Sequence, residues 1–164
     1  MKEEKSIISR AKWVAGLATL ILAGASSGVA LGNGGYGVTF TGVPKSSVEQ
    51  GKSLDLRVEA TTPVGGPFAY VTVFTSETTA CATTIEGEFK LKSENKARDV
   101  LGSHVDGKFA RQYSFKPERA GTAYLCAYVF KKITGMDTLA DATASFPVRP
   151  ARPNSPAPPS PPHH

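Results

Sequence analysis

The 164-residue sequence predicts an all-β sandwich, preceded by an export signal and followed by a proline-rich tail. Three observations lead there. Short runs after Gly37 alternate apolar and polar residues with period two, the signature of half-buried strands. Turn clusters break them at short intervals, as in "EQGKS", "PVGGP", "HVDGK", "KPERAG" and "KKITGMD". Helical periodicity is scarce, and many short strands with regular breaks specify a sandwich.

Residues 1–25 read as a signal peptide. Lys2, Lys5, Arg10 and Lys12 make a basic start, and the apolar run Trp13–Ala25 follows. Ala23-Gly24-Ala25 fits a small-residue cleavage site, and Gly28-Val29-Ala30 is a later one. The run is shorter than the roughly 20 apolar residues of an ordinary membrane span. No charge falls between Lys12 and Lys45, however, so an uncleaved anchor reaching Leu31 is the alternative, and the one membrane contact expected. No cysteine follows the run, which argues against a lipid anchor. Residues 26–36 are rich in Gly and Ser and read as a flexible linker.

Residues 37–148 hold the sandwich. In "YGVTFTGVP", Val38 and Phe40 share a face. In "SLDLRVEA", Leu54, Leu56, Val58 and Ala60 point one way, while Asp55, Arg57 and Glu59 point to water. Phe68–Thr75, "FAYVTVFT", is apolar on both faces, as a central strand is. Phe109–Phe115 puts Phe109, Tyr113 and Phe115 on one side, and "TAYLCAYVF" follows. Ala142–Val148 closes the set, with Pro147 marking an edge because it cannot donate a ladder hydrogen bond. Between Ser76 and Leu101 the pattern fits two readings: a short helix around Cys81, or a strand at "EFKLK", where Phe89 and Leu91 alternate with lysines.

The remaining residues, 149–164, form the tail. Prolines at 147, 150, 153, 156, 159 and 162 recur with a period of three, the period of a polyproline II helix. The expectation is a disordered tail outside the core, extended enough to act as a spacer.

Export places the chain in an oxidising compartment, where paired thiols become disulfides. Cys81 and Cys126 are the two cysteines present, so the bridge joins them and closes a loop of 45 positions. In the chain-entropy model such a loop contributes about 4 kcal/mol.

Tyr124 stands two residues before Cys126 in "ERAGTAYLC", after the turn residues Ala120 and Gly121. In an immunoglobulin-type sandwich a tyrosine so placed bonds through its hydroxyl to upstream backbone and locks a corner. Together with "VEQGKSLDLRVEA", "AYVTVF" and "FKPERAGTAYLCAYV", this spacing resembles bacterial secreted immunoglobulin-like domains over Val38–Val148. The resemblance implies that Tyr124 is a structural corner residue and that Cys126 faces the interior or a sheet edge. It also implies that the bridge ties the loop after the third strand to the strand of Cys126, rather than bolting two sheets together as in antibodies. It implies no activity, since such folds host adhesins, spacers, chaperones and enzyme appendages.

The chemistry-bearing residues are few. His104 lies beside Ser103, Asp99 and Asp106, but no nucleophile elbow surrounds Ser103, so a solvated turn histidine is the better reading. A blue-copper site needs two histidines near Cys126 and Met136, and the sequence puts none there. Asp137 and Asp141 flank a turn-like "MDTLAD", and Glu86 and Glu88 form a second acidic pair, yet neither follows a calcium-loop pattern. Glu86, Glu88, Lys90 and Lys92 read as a solvated strand face rather than a glycosidase pair. Tyr36, Tyr70 and Tyr128 are candidates for stacking on sugars, with core packing the stronger reading for the last two. Net charge is +5, of which the first dozen residues carry +2. That excess is too diffuse for nucleic-acid binding and fits mild attraction to an anionic surface.

The sequence therefore reads as an exported, non-catalytic module for binding, adhesion or cell-envelope structure. It is expected outside the cell or at its surface, with an extracellular or cell-wall ligand and no nucleic acid, cofactor or metal. The alternative is a small exported hydrolase on the same scaffold. A pocket joining His104 to a carboxylate and a hydroxyl would favour it.

Overall fold

The computed structural model describes residues 30–31, 34–66, 68–132 and 136–152. The signal segment and the tail beyond Arg152 lie outside the described residues. Among the described residues, nine strands and one helix occur in the order β1 (Ala30–Leu31), β2 (Gly37–Thr41), β3 (Val48–Glu49), β4 (Leu54–Thr61), β5 (Ala69–Ser76), α1 (Ile85–Ser93), β6 (Arg98–Val105), β7 (Lys108–Phe115), β8 (Gly121–Lys132) and β9 (Met136–Arg149). They build a four-stranded sheet A, ordered β1-β2-β4-β7, and a five-stranded sheet B, ordered β3-β9-β8-β5-β6.

One apolar core joins the two sheets. Val38, Phe40, Leu56, Val58 and Ala60 of sheet A meet Val71, Val73, Leu125, Ala127, Val129 and Phe146 of sheet B. Leu56 and Val58 are wholly buried and alternate with exposed Asp55 and Arg57, as the period-two pattern requires. Chain crossings between the sheets fix two ends. At the upper end, residues 62–68 link β4 to β5 and the turn 106–107 links β6 to β7. There Thr62 N–H donates to the Gly107 carbonyl, and Gly107 N–H donates back to Thr62 Oγ1. At the lower end, residues 116–120 link β7 to β8.

Several expectations need correction. Within the segment read as a linker, Ala30 and Leu31 lie opposite Val38 and Gly37. Gly34 and Gly35 supply the positive φ values of the intervening turn. Pro147 keeps the edge position read for it although β3 runs beside the end of β9: that pairing covers Val148 and Arg149, so no ladder bond is asked of the proline on that side. The "MDTLAD" stretch is the beginning of β9 rather than a turn. The chain is also not purely β. The 76–101 region forms α1 over 85–93, which excludes a strand at "EFKLK" and starts the helix after Cys81 rather than around it.

The helix has a physical reason. Ile85 and Phe89 are four apart and pack together on sheet B, a helical spacing that the alternating Glu and Lys residues conceal. Thr84 caps the first turn, its Oγ1 accepting from Gly87 N–H at 3.2 Å. Glu86 and Glu88 fall in the first turn and Lys90 and Lys92 in the last, as the helix dipole favours. Gly87 is required by contact: a Cβ there would sit 2.9 Å from the Ala82 Cβ, so a larger residue would push the incoming strap away.

Candidate functional site

The outer face of sheet B, turned away from the core, carries a second row of apolar side chains. Phe74, Cys126, Tyr128 and Phe130 alternate with the core-facing residues of β5 and β8. Its lower half is covered. After β5 the chain crosses β8 as a strap, reaches β9 where Ile85 N–H donates to Thr138 Oγ1 at 3.0 Å, and returns as α1 over Phe74 and Tyr128. Lys92 then pairs with Asp99 on β6 at 2.8 Å, which holds the Asp99 carboxyl below its usual range through a hydrogen bond and the nearby charge.

The strap is held by the sequence-predicted bridge. Cys81 and Cys126 form a disulfide, with Cα atoms 5.6 Å apart. Cys126 is wholly buried on the outer face of β8, beneath the strap and not between the sheets. A second fastening was not foreseen. Tyr128 Oη donates to the Ala82 carbonyl at 2.6 Å and lies 3.0 Å from Glu88 Oε2, which also accepts the Ala82 N–H at 2.8 Å. Glu88 is therefore not on a solvated strand face: it is fully buried, its Oε1 without a hydrogen-bond partner among the described residues. Burial, and then the Glu88 and Asp141 carboxylates, push the Tyr128 phenol up.

Tyr124, read as the corner residue, lies on the outer face of β8 with Cys126 and Tyr128. No hydrogen bond of its hydroxyl occurs among the described residues, and its ring packs beside Cys81 at the rim of a concavity of about 220 Å³ with Ala80 and Thr143. The tyrosine that bonds to backbone is Tyr128, two residues after the cysteine. Both lie on the same face of β8, but Tyr128 is beneath the strap and Tyr124 is beside it.

The upper half of the same face is open. Phe68 is 74% exposed, Tyr70 39%, and Val64 in the preceding loop 83%. His104 is no turn residue but part of edge strand β6, directly opposite Tyr70. Its ring lies 5.2 Å from Phe68 and 5.8 Å from Tyr70, and Tyr70 stacks on Phe130 at 5.7 Å, all within aromatic contact range. Gly102 sits beside His104 on this face, and a Cβ there would meet nothing within 4 Å, so the surface stays open. Of the tyrosines considered for stacking, Tyr70 is thus exposed, Tyr128 is core and Tyr36 is half-buried.

The hydrolase residues are not brought together. Ser103 and His104 are neighbours on one strand and project to opposite faces, and Ser103 Oγ donates to the His104 carbonyl. Asp99 is engaged by Lys92, and Asp106 accepts from Gly65 N–H at 3.0 Å. No group of three or more His, Cys, Asp or Glu side chains suited to a metal occurs among the described residues. No helix among them is long and apolar enough to cross a membrane.

No family model matches the chain, and no curated protein matches it. Among solved structures the chain is similar to the CARDB domain of PF1109 from Pyrococcus furiosus, determined in solution by NMR. The two are 16% identical, the likeness covers 68% of this chain and 91% of that one, and the TM-score is 0.41.

Proposed function

We propose that this chain is an exported, non-catalytic module with an immunoglobulin-like sandwich fold, and that it binds a cell-surface or extracellular partner through the open upper half of sheet B. The carrying observation is the exposed cluster of Phe68, Tyr70 and His104 on a rigid sheet. Exposed aromatic residues on a folded surface lose apolar stabilisation unless a partner covers them, and aromatic residues are the common anchors of interfaces. The basic, then apolar, then small-residue order of the first 30 residues supports export, and the disulfide fits the oxidising compartment that export reaches. The separation of Ser103 from His104 speaks for binding over hydrolysis.

The test replaces Phe68 and Tyr70 with alanine and measures retention of the mature protein on isolated cell envelopes. Retention falls about tenfold, in the range expected for two aromatic anchors, while the melting temperature stays within a few degrees. Unchanged retention would remove this face from the binding surface.

A further inference from the structure

The lower end of the molecule carries a different surface. The strap entrance (77–79), the segment after α1 (94–97) and the β7–β8 loop (116–120) meet around a concavity of about 140 Å³. Its charged lining comprises Lys96, Arg98, Lys116, Arg119, Glu77 and Glu118. Glu118 pairs with Arg98 at 3.3 Å, while Glu77 Oε1 accepts the Glu118 N–H at 2.5 Å and makes no ion pair among the described residues. Lys96 is paired with Glu94 at 2.7 Å. Lys116 and Arg119 are exposed and make no ion pair among the described residues. The last carbonyls of α1 do not compete for them, because they accept from the amides of Glu94, Asn95 and Lys96.

The rim is also held in place before any ligand arrives. Ser76 Oγ donates to the Lys96 carbonyl at 2.6 Å and accepts from the amides of Thr78 and Thr79. Gly51 N–H donates to the Pro117 carbonyl at 2.8 Å, which anchors the β7–β8 loop. A preorganised concavity whose two unpaired cations outnumber its one carboxylate without an ion pair favours an anion over a cation or an apolar group.

We propose that this concavity binds an anionic group, a phosphate or a carboxylate, of a surface polymer, with Lys116 and Arg119 as the pairing cations. Arginine offers a planar fork to either oxyanion, and lysine adds a mobile point charge. The site is at the opposite end from the aromatic face and is independent of it. The choice of a surface polymer rests on the export reading above; binding of purified polymer does not.

The experiment measures binding of the folded, disulfide-bonded protein to immobilised poly(glycerol phosphate) and, separately, to polygalacturonate, at about 50 and about 200 mM salt. Binding to at least one polymer is expected, weaker at the higher salt, and the stronger of the two identifies the oxyanion. The double variant Lys116→Gln/Arg119→Gln binds about tenfold more weakly. The double variant Lys90→Gln/Lys108→Gln, which removes the same charge away from the concavity, binds within about twofold of the parent. Equal loss in both doubles would reduce the effect to net charge and overturn the site, as would failure to bind either polymer, or tighter binding to duplex DNA than to both. Loss of envelope retention in the Phe68/Tyr70 variant with polymer binding intact would separate the two surfaces.

Discussion

Tyr128 and Tyr124 lie four residues apart on one face of one strand, yet among the described residues only the Tyr128 hydroxyl makes a hydrogen bond. Tyr128 lies beneath the strap and its hydroxyl meets the Ala82 carbonyl at 2.6 Å. Tyr124 stands at the rim. Tyr128→Phe is therefore expected to destabilise the fold by about 1–2 kcal/mol, since it leaves the half-buried Ala82 carbonyl short of its donor and the buried Glu88 carboxylate short of a partner. Tyr124→Phe is expected to change stability by less than about 0.5 kcal/mol. Urea denaturation of the two variants side by side checks this, and equal losses would return the corner role to Tyr124. Glu88 is the same lesson in a charged residue. Its spacing from Glu86 suggested a wetted strand, and only the helix turns it inward to receive the Ala82 amide. Nothing in the sequence announces that contact except Gly87, whose missing side chain lets Ala82 approach. Glu88→Ala is expected to cost about 2–4 kcal/mol, through a void and an unpartnered amide.

At the scale of elements, strands with one wet face were legible and covered or exposed exceptions were not. β4 could be read residue by residue, because one face is core and the other is water. β6 escaped notice: it is an edge strand with one buried residue, Val105, and Gly102 in its middle, so it carries almost no alternation. The open aromatic face was only half visible, since Phe68–Thr75 looked apolar on both sides for two different reasons. Its lower outer residues lie under α1, and Phe68 and Tyr70 at its upper end stay exposed. The disulfide was legible because two cysteines leave one pairing, and its role follows from the crossover. It pins the strap and helix, which otherwise rest on Tyr128, Ile85 and a few polar contacts. Cys126→Ser is expected to lower stability by about 2–5 kcal/mol. Hydrogen exchange should locate the loss. Amides of 77–97 exchange faster in the variant, while β4 and β8 keep their protection relative to global unfolding. Uniform acceleration across both sheets would mean that the strap is not a separate unit.

Across the whole molecule, polar groups buried in the two apolar regions tie stability to pH at the alkaline end. Tyr113, on β7, has its hydroxyl buried without a partner among the described residues, and burial pushes its phenol up. Tyr128 is raised as well, by burial and by Glu88 and Asp141. In the unfolded chain both phenols return to the usual value of about 10. Both groups thus hold their protons more tightly when folded. The stability gained by keeping them neutral is fully present below about pH 10 and is lost as pH rises from there toward the folded values. Each tyrosine contributes a slope of up to about 1.4 kcal/mol per pH unit in that window. Tyr113 isolates the effect, because its hydroxyl makes no bond that a phenylalanine would lose. Tyr113→Phe should be as stable as the parent or slightly more stable at about pH 8, since it removes an unsatisfied buried group. Above about pH 10 its stability should fall less steeply, by one tyrosine's share. Urea midpoints measured from about pH 8 to about pH 11 decide the matter. A variant that loses stability as steeply as the parent would show that the Tyr113 hydroxyl reaches water.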